Sequence, residues 1–205
     1  IRLESGNPFF LYLPFTTPHA KIEVPDLGEY ANANWSEEEK ILAAMITRLD
    51  GYVGRITSLL KELGLEENTI LFFASDNGAS GSSHEFFQRS GRLRAKKGSL
   101  YEGGIRTPAI VRWPGKVPAG TVSDVPWYFA DFLPTAGALA GVRPPQNIDG
   151  VNVLPTLLGG VQPSLQSRFL YWETHDGGAL AQAVRWGQWK AVRYGIHEPL
   201  ELYNV

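Results

Sequence analysis

Residues 8–13, Pro-Phe-Phe-Leu-Tyr-Leu, form an unbroken apolar and aromatic run, the pattern of a strand buried on both faces. Thr16, Thr17, Pro18 and His19 follow as its exit loop. From Ser36 the period changes. Ile41, Met45, Leu49, Tyr52, Val53, Ile56, Leu60 and Leu63 recur at three- and four-residue spacing, which predicts one long amphipathic helix. Ser36 with Glu39 reads as a capping box, and Gly64 supplies the C-terminal stop. Residues 69–75 then form a second doubly buried strand that ends in Asp76-Asn77-Gly78. Strand, long helix, strand predicts a right-handed crossover and hence a parallel sheet.

Beyond Gly78 the chain turns polar and glycine-rich as far as Arg94, the texture of a surface loop that lines or covers a site. Residues 107–113 are a third strand candidate, and residues 134–139 a short helix opened by Pro134 and stopped near Gly141. After Pro163 short strand-like pieces follow one another at 168–173, 181–185 and 190–194, joined by Gly/Asp and Gly-Gln turns. The expected organisation is therefore an α/β portion over residues 1–163 and a small antiparallel subdomain over residues 164–205.

Composition narrows the function. The 205 residues are 43% hydrophobic and 20% charged, enough for one sizeable core. A net charge of -2 excludes a general polyanion binder such as a nucleic-acid protein, so any anion specificity must be local. No apolar run approaches the length of a membrane span. Cysteine is absent, which removes disulfides, thiolate metal sites and a cysteine nucleophile. The chain opens Ile1-Arg2-Leu3 without Met and closes on apolar residues, and the expectation is an internal fragment whose N-terminal part is missing.

Chemistry concentrates in two strings. Lys97-Gly98-Ser99-Leu100-Tyr101-Glu102-Gly103-Gly104-Ile105-Arg106 places cations, a carboxylate and adjacent glycines together, and glycines so dense let backbone approach backbone or ligand closely. Asp76-Asn77 sets a carboxylate beside a carboxamide at a strand end, where a hard cation finds oxygen ligands. Ligands of open α/β sheets bind beyond the carboxyl ends of strands, and His19, Asp76 and Asn77 all follow such ends. Singly, each has a plainer reading: a loop histidine, a turn tripeptide, a solvated lysine, and Glu102 paired with Arg106 four residues on. Their joint occurrence in this order favours a site.

The order Thr17-Pro18-His19, Arg48-Leu49-Asp50-Gly51-Tyr52, Ser75-Asp76-Asn77-Gly78 and Lys97-Gly98 with Glu102-Gly103-Gly104-Ile105-Arg106-Thr107-Pro108 resembles the type I sulfatases. Asp131-Phe132-Leu133-Pro134-Thr135, Ile148-Asp149-Gly150, Arg185-Trp186-Gly187-Gln188-Trp189-Lys190 and Glu201-Leu202-Tyr203 resemble the same family's C-terminal half. The resemblance implies an alkaline-phosphatase-like α/β fold. Its sheet would be mixed and mainly parallel, flanked by helices, with a small antiparallel C-terminal sheet. It also implies hydrolysis of sulfate esters with calcium and a formylglycine nucleophile made from Cys or Ser. By match of motif, Asp76 and Asn77 would ligate calcium, Lys97 would bind the sulfate oxygens, and His19 would contact the sulfate and the leaving oxygen. A periplasmic, extracellular or lysosome-like location is implied in the same way.

One departure matters. The nucleophile pattern of Cys or Ser, then Pro two residues later and Arg two after that, occurs nowhere in the chain, nor does the paired-Asp metal segment. Formylglycine is accordingly expected in the missing N-terminal part, and the chain alone is expected to be inactive. Two rivals stay open: a phosphatase or phosphodiesterase of the same superfold, and a non-catalytic relative that binds sulfated glycans. The expected substrate is a sulfated carbohydrate or an aryl sulfate. His84, Trp172, His175, Arg185 and Trp186 are candidate sugar contacts, with His84 the one carried forward as substrate-binding.

Overall fold

The capping residues of the long helix act as the sequence predicts. In a computed structural model that describes residues 1–19, 21–80, 84–176 and 179–205, α1 spans Glu37–Glu62. The Ser36 amide donates to Glu39 Oε2 at 2.8 Å, and the Glu39 amide donates to Ser36 Oγ at 3.3 Å. Gly64 takes a left-handed φ of +68°, the conformation that ends a helix at least cost in glycine. The buried stripe contains Leu42, Ala44, Met45 and Leu60.

The chain divides into two units: residues 1–70 with 81–87, and residues 71–80 with 88–205. In the first, Phe15 stacks on Tyr52 of α1. Trp35 is surrounded by Tyr30, stacked at 5.7 Å, and by the edges of Phe86 and Phe87. The latter two belong to α2, His84–Phe87. Residues 8–13 do not form the strand their apolar run predicts. They join no ladder among the described residues, and Phe10 and Tyr12 are each 75% exposed. An apolar run supplies side chains for a strand, whereas the strand itself requires a hydrogen-bonded neighbour.

In the second unit β1 (Leu71–Ala74) pairs antiparallel with β2 (Ala109–Arg112), with Leu71 opposite Arg112 and Ala74 opposite Ala109. The parallel pair expected from the crossover is not present among the described residues. The antiparallel register has a consequence for the site: it sets the exit of β1, residues 75–79, beside the entry to β2 that includes the short α3, Glu102–Ile105. Phe72 of β1 meets the edge of Phe132, which opens α4 (Phe132–Ala140). Gly141, at φ +68°, stops that helix as predicted.

Two further short helices, α5 (Leu154–Leu157) and α6 (Pro163–Ser167), lead to the C-terminal sheet. Its strands β3 (Phe169–Asp176), β4 (Ala179–Trp186), β5 (Trp189–Tyr194) and β6 (Glu201–Asn204) run antiparallel in chain order. The Gly-Gln turn between β4 and β5 is as expected, and the Gly177-Gly178 turn lies outside the described residues. One face of this sheet buries Ala181, Ala183 and Val192 against Leu100, with Tyr101, Ile105, Trp172, Tyr194 and Tyr203 packed around them.

A polar knot ties α4 to the start of β3. Asp131 has no solvent exposure; its carboxylate takes a forked pair from Arg168 at 2.7 and 2.5 Å and accepts the amides of Tyr128 and Val151. Thr135, equally buried, donates to Asp131 O and accepts from the Val153 amide. These bonds give Asp131 and Thr135 structural work, and burial pushes the nearby Tyr128 phenol above its ordinary pKa.

Candidate functional site

At one end of the β1–β2 ladder, the exit of β1 and the entry to β2 each carry a glycine-bearing turn, and the two turns interlock. The Gly78 amide donates to Gly104 O at 2.8 Å, and the Lys97 amide donates to Ala79 O at 2.9 Å. A Cβ on Gly78 would overlap the Gly103 carbonyl, lying 2.8 Å from its carbon and 3.0 Å from Gly104 Cα. A Cβ on Gly103 would sit 2.5 Å from Arg94 O. Side chains are excluded there because backbone already fills the space. The density of glycine in the sequence therefore reflects backbone-on-backbone contact.

Asp76, Asn77 and Lys97 are thus carried on one assembly of loops. Asp76 is exposed and Asn77 half-buried just past β1, while Lys97 is exposed on the adjoining loop. Ser75 Oγ donates to Asn77 O at 3.1 Å, and Asn77 Nδ2 donates to Gly78 O at 3.1 Å. The second bond holds the nitrogen end of the carboxamide to the chain, so Oδ1 is the end suited to a cation. A carboxylate and a carboxamide oxygen side by side are the hard donors that calcium prefers to transition metals. In chemistry the pair fits calcium. In number it is incomplete, since calcium takes about 6–8 oxygens, and no cluster of three or more His, Asp or Glu able to hold a metal exists among the described residues.

His19 belongs to the other unit. It lies in a turn after the extended run, with its amide donating to Thr16 O at 2.8 Å, and its side chain is exposed. His84 begins α2, but its side chain lies outside the described residues. Among the other candidate sugar contacts, Arg185 is committed to the fold, with Nε donating to Gly187 O at 3.1 Å. Trp172 packs on the core with Lys190 Nζ 5.5 Å from its ring centre. Trp186 is 62% exposed with Nε1 donating to Ser167 O, and His175 is exposed on β3.

Glu102 behaves differently from the local pairing considered above. Arg106 Nη1 stands 4.0 Å away, whereas Lys190 Nζ is 2.8 Å from Glu102 Oε1 and Arg185 Nη1 is 3.5 Å from Oε2. Lys190 has no solvent exposure. Burial lowers its ammonium pKa from the ordinary lysine value, and the Glu102 hydrogen bond works in the opposite direction. Sequence spacing pointed to the i,i+4 partner because the partner 88 residues away leaves no local signal.

The same loop is gripped elsewhere by the C-terminal sheet. Leu100 N–H donates to Tyr194 Oη at 2.9 Å, and Tyr101 Oη donates to Glu201 Oε2 at 2.7 Å. Arg94 lies over the Tyr101 ring, 3.8 Å from its centre, and bonds Tyr203 Oη and Glu201. Burial and the Glu201 hydrogen bond raise the Tyr101 phenol pKa far above ordinary tyrosine. The Tyr203 and Tyr101 hydroxyls, then Arg94, hold the Glu201 carboxyl below its ordinary value.

A family model described as Sulfatase matches residues 1–142, and one described as N-sulphoglucosamine sulphohydrolase, C-terminal, matches residues 94–205. The N-acetylgalactosamine-6-sulfatase of Canis lupus familiaris is 37% identical over 190 residues, covering 90% of this chain and 34% of that protein. Arylsulfatase A of Homo sapiens is 35% identical over 186 residues, covering 90% of this chain and 36% of its own. Among solved structures, Ps i-CgsB in complex with k-i-k-neocarrahexaose aligns with a TM-score of 0.84 at 33% identity, over 97% of this chain and 44% of that one. The chain spans about a third of the length of these curated relatives.

Proposed function

The chain belongs to the sulfatase family, whose alkaline-phosphatase-like α/β fold it shares, and we propose that the full-length protein hydrolyses sulfate esters of sulfated glycans. The observation that carries the proposal is the interlock of Gly78 with Gly103 and Gly104, which joins an Asp-Asn pair and a lysine as one preorganised unit. Cleaving a sulfate ester builds negative charge on the leaving oxygen. Fixed positive charge aimed at the sulfuryl group is therefore the main catalytic requirement. Lys97 meets it as a compact ammonium that binds the nonbridging sulfate oxygens. Asp76 and Asn77 supply two oxygens to calcium, which when bound polarises the sulfuryl group as a Lewis acid. His19 donates a proton to the leaving oxygen, most needed where the leaving group is a sugar hydroxyl.

The nucleophile, formylglycine in this family, comes from outside these 205 residues, as do the remaining metal ligands. Substrates containing sulfated galactosamine or sulfated galactan are favoured by the names of the relatives, an N-acetylgalactosamine-6-sulfatase and a carrageenan-oligosaccharide complex. A periplasmic, extracellular or lysosome-like location, implied by the family resemblance, belongs to the same proposal. The test is turnover by the full-length protein of 4-nitrophenyl sulfate, 4-nitrophenyl phosphate and a 6-sulfated N-acetylgalactosamine oligosaccharide, with and without calcium. The proposal expects calcium-dependent release of sulfate from the sugar. Turnover of the phosphate ester alone would transfer the protein to the phosphatase reading.

A further inference from the structure

The loop that carries Lys97 meets the C-terminal sheet through the apolar contacts of Leu100, Tyr101 and Ile105 and through polar links made by Arg94, Tyr101 and Glu102. Between them lies a cleft of about 230 Å³ lined by Arg94, Tyr101, Glu102, Arg106, Lys190 and Tyr203, among others. Apolar packing of Leu100, Tyr101 and Ile105 seats the loop on the sheet, whereas Glu102, at the wall of the cleft, is held by charge: Lys190 Nζ donates to its Oε1 at 2.8 Å in a buried bond. Glu102 opens α3, where the Gly103 amide is bonded to Arg94 O and the Gly104 carbonyl receives the Gly78 amide. A shift of Glu102 consequently moves both the chain leading to Lys97 and the turn holding Asp76 and Asn77.

We infer that Lys190 is a positioning residue for the anion-binding loop: its ion pair with Glu102 fixes where Glu102 sits against β5 and with it the place of the Lys97 ammonium. Stability alone is a poor reason for such a pair. Replacing a buried ion pair with apolar groups of similar size is often neutral or stabilising, whereas removing one partner strands the other charge. Placement is a better reason, because misplacing a catalytic group by about 1 Å costs up to roughly a hundredfold in rate. The kinetic part of this inference rests on the sulfatase reading; the structural part does not.

The test compares wild-type full-length protein with Lys190→Met and with the double variant Lys190→Met/Glu102→Gln. Four quantities are read: Tm, kcat and KM on 4-nitrophenyl sulfate, and deuterium uptake by peptides covering residues 94–106. Lys190→Met alone lowers Tm by leaving the Glu102 carboxylate without its nearest partner. The double variant removes that charge and recovers part of the lost Tm, since Arg185 loses the Glu102 carboxylate but keeps its bond to Gly187 O. Its kcat stays roughly 10- to 100-fold below wild type with KM changed by less than about threefold, and residues 94–106 take up deuterium faster. Should the single variant fail to fold, the double variant carries the test. Any result in which kcat and Tm fall or recover together, with wild-type uptake in the loop, shows a merely structural pair and overturns the inference. A wild type that hydrolyses no sulfate ester refutes the proposed function instead. The uptake comparison then decides alone, faster exchange in the double variant supporting the inference and unchanged exchange overturning it.

Discussion

Replacing Gly78 with alanine is the sharpest perturbation of the interlocked turns. The added Cβ would overlap the Gly103 carbonyl, and because the obstacle is backbone, no side-chain rotation relieves it. The turns must separate. That breaks the Gly78–Gly104 bond of 2.8 Å and the Lys97–Ala79 bond of 2.9 Å. Two lost hydrogen bonds at about 1 kcal/mol each, with about 1–3 kcal/mol of overpacking strain, give a destabilisation of about 3–5 kcal/mol. A domain holds only about 5–15 kcal/mol in total, so the variant sits near its unfolding threshold. Gly54→Ala provides the opposite case, because Gly54 lies within α1 and a Cβ there meets nothing within 4 Å. It should stabilise by about 1 kcal/mol through helix propensity. Urea unfolding followed by circular dichroism reads both as midpoint shifts at unchanged slope. If the two variants shift the midpoint in the same direction by similar amounts, the contact between the turns does not exist as described.

Asp131→Ala should cost about 3–5 kcal/mol in the same assay, since it strands the Arg168 guanidinium, which is 15% exposed, against a buried backbone. Asp76→Ala in the full-length protein should weaken calcium binding at least tenfold by titration calorimetry, and an unchanged affinity would remove Asp76 from the ligand set. Glu201 has a folded pKa below its unfolded value, so its contribution is present above the unfolded pKa and is lost as pH falls through the folded one. Glu201→Gln should therefore flatten the acid limb of the stability profile below about pH 4.5 and leave its slope near neutrality unchanged. The 205-residue chain, which contains no Cys and no Ser-x-Pro-x-Arg segment, should release no product from an aryl sulfate even with calcium.

Features coded by neighbouring residues were legible in the sequence. The capping box at Ser36, the stops at Gly64 and Gly141 and the Gly187-Gln188 hairpin turn all depend on contacts within a few positions, whereas α4 opens at Phe132, two residues before the expected Pro134. The strand over residues 8–13 was misjudged because pairing is a property of neighbours, and β6 went unseen because its four residues carry no turn signal of their own. In the candidate site, the motif letters nominate His19, Asp76, Asn77 and Lys97, of which the last three share one assembly of loops, and the glycines announce a close approach without saying to what. The Glu102–Lys190 pair and the Arg94–Tyr101–Glu201 cluster were beyond reach, since each joins residues roughly 90 to 110 positions apart and neither has a periodic signature.

The most direct test of the account is the comparison of Lys97→Ala with Lys96→Ala in the full-length protein, assayed for sulfate ester turnover at saturating calcium. Losing a preorganised cation from the sulfuryl group typically costs about 3 kcal/mol, so Lys97→Ala should lower kcat by roughly two to three decades at an almost unchanged Tm. Lys96→Ala should leave turnover within about twofold of wild type. Loss of activity on changing Lys96 with Lys97 silent would put the anion-binding position one residue out of register. Full activity in both variants would contradict the assignment of this loop to the sulfate group.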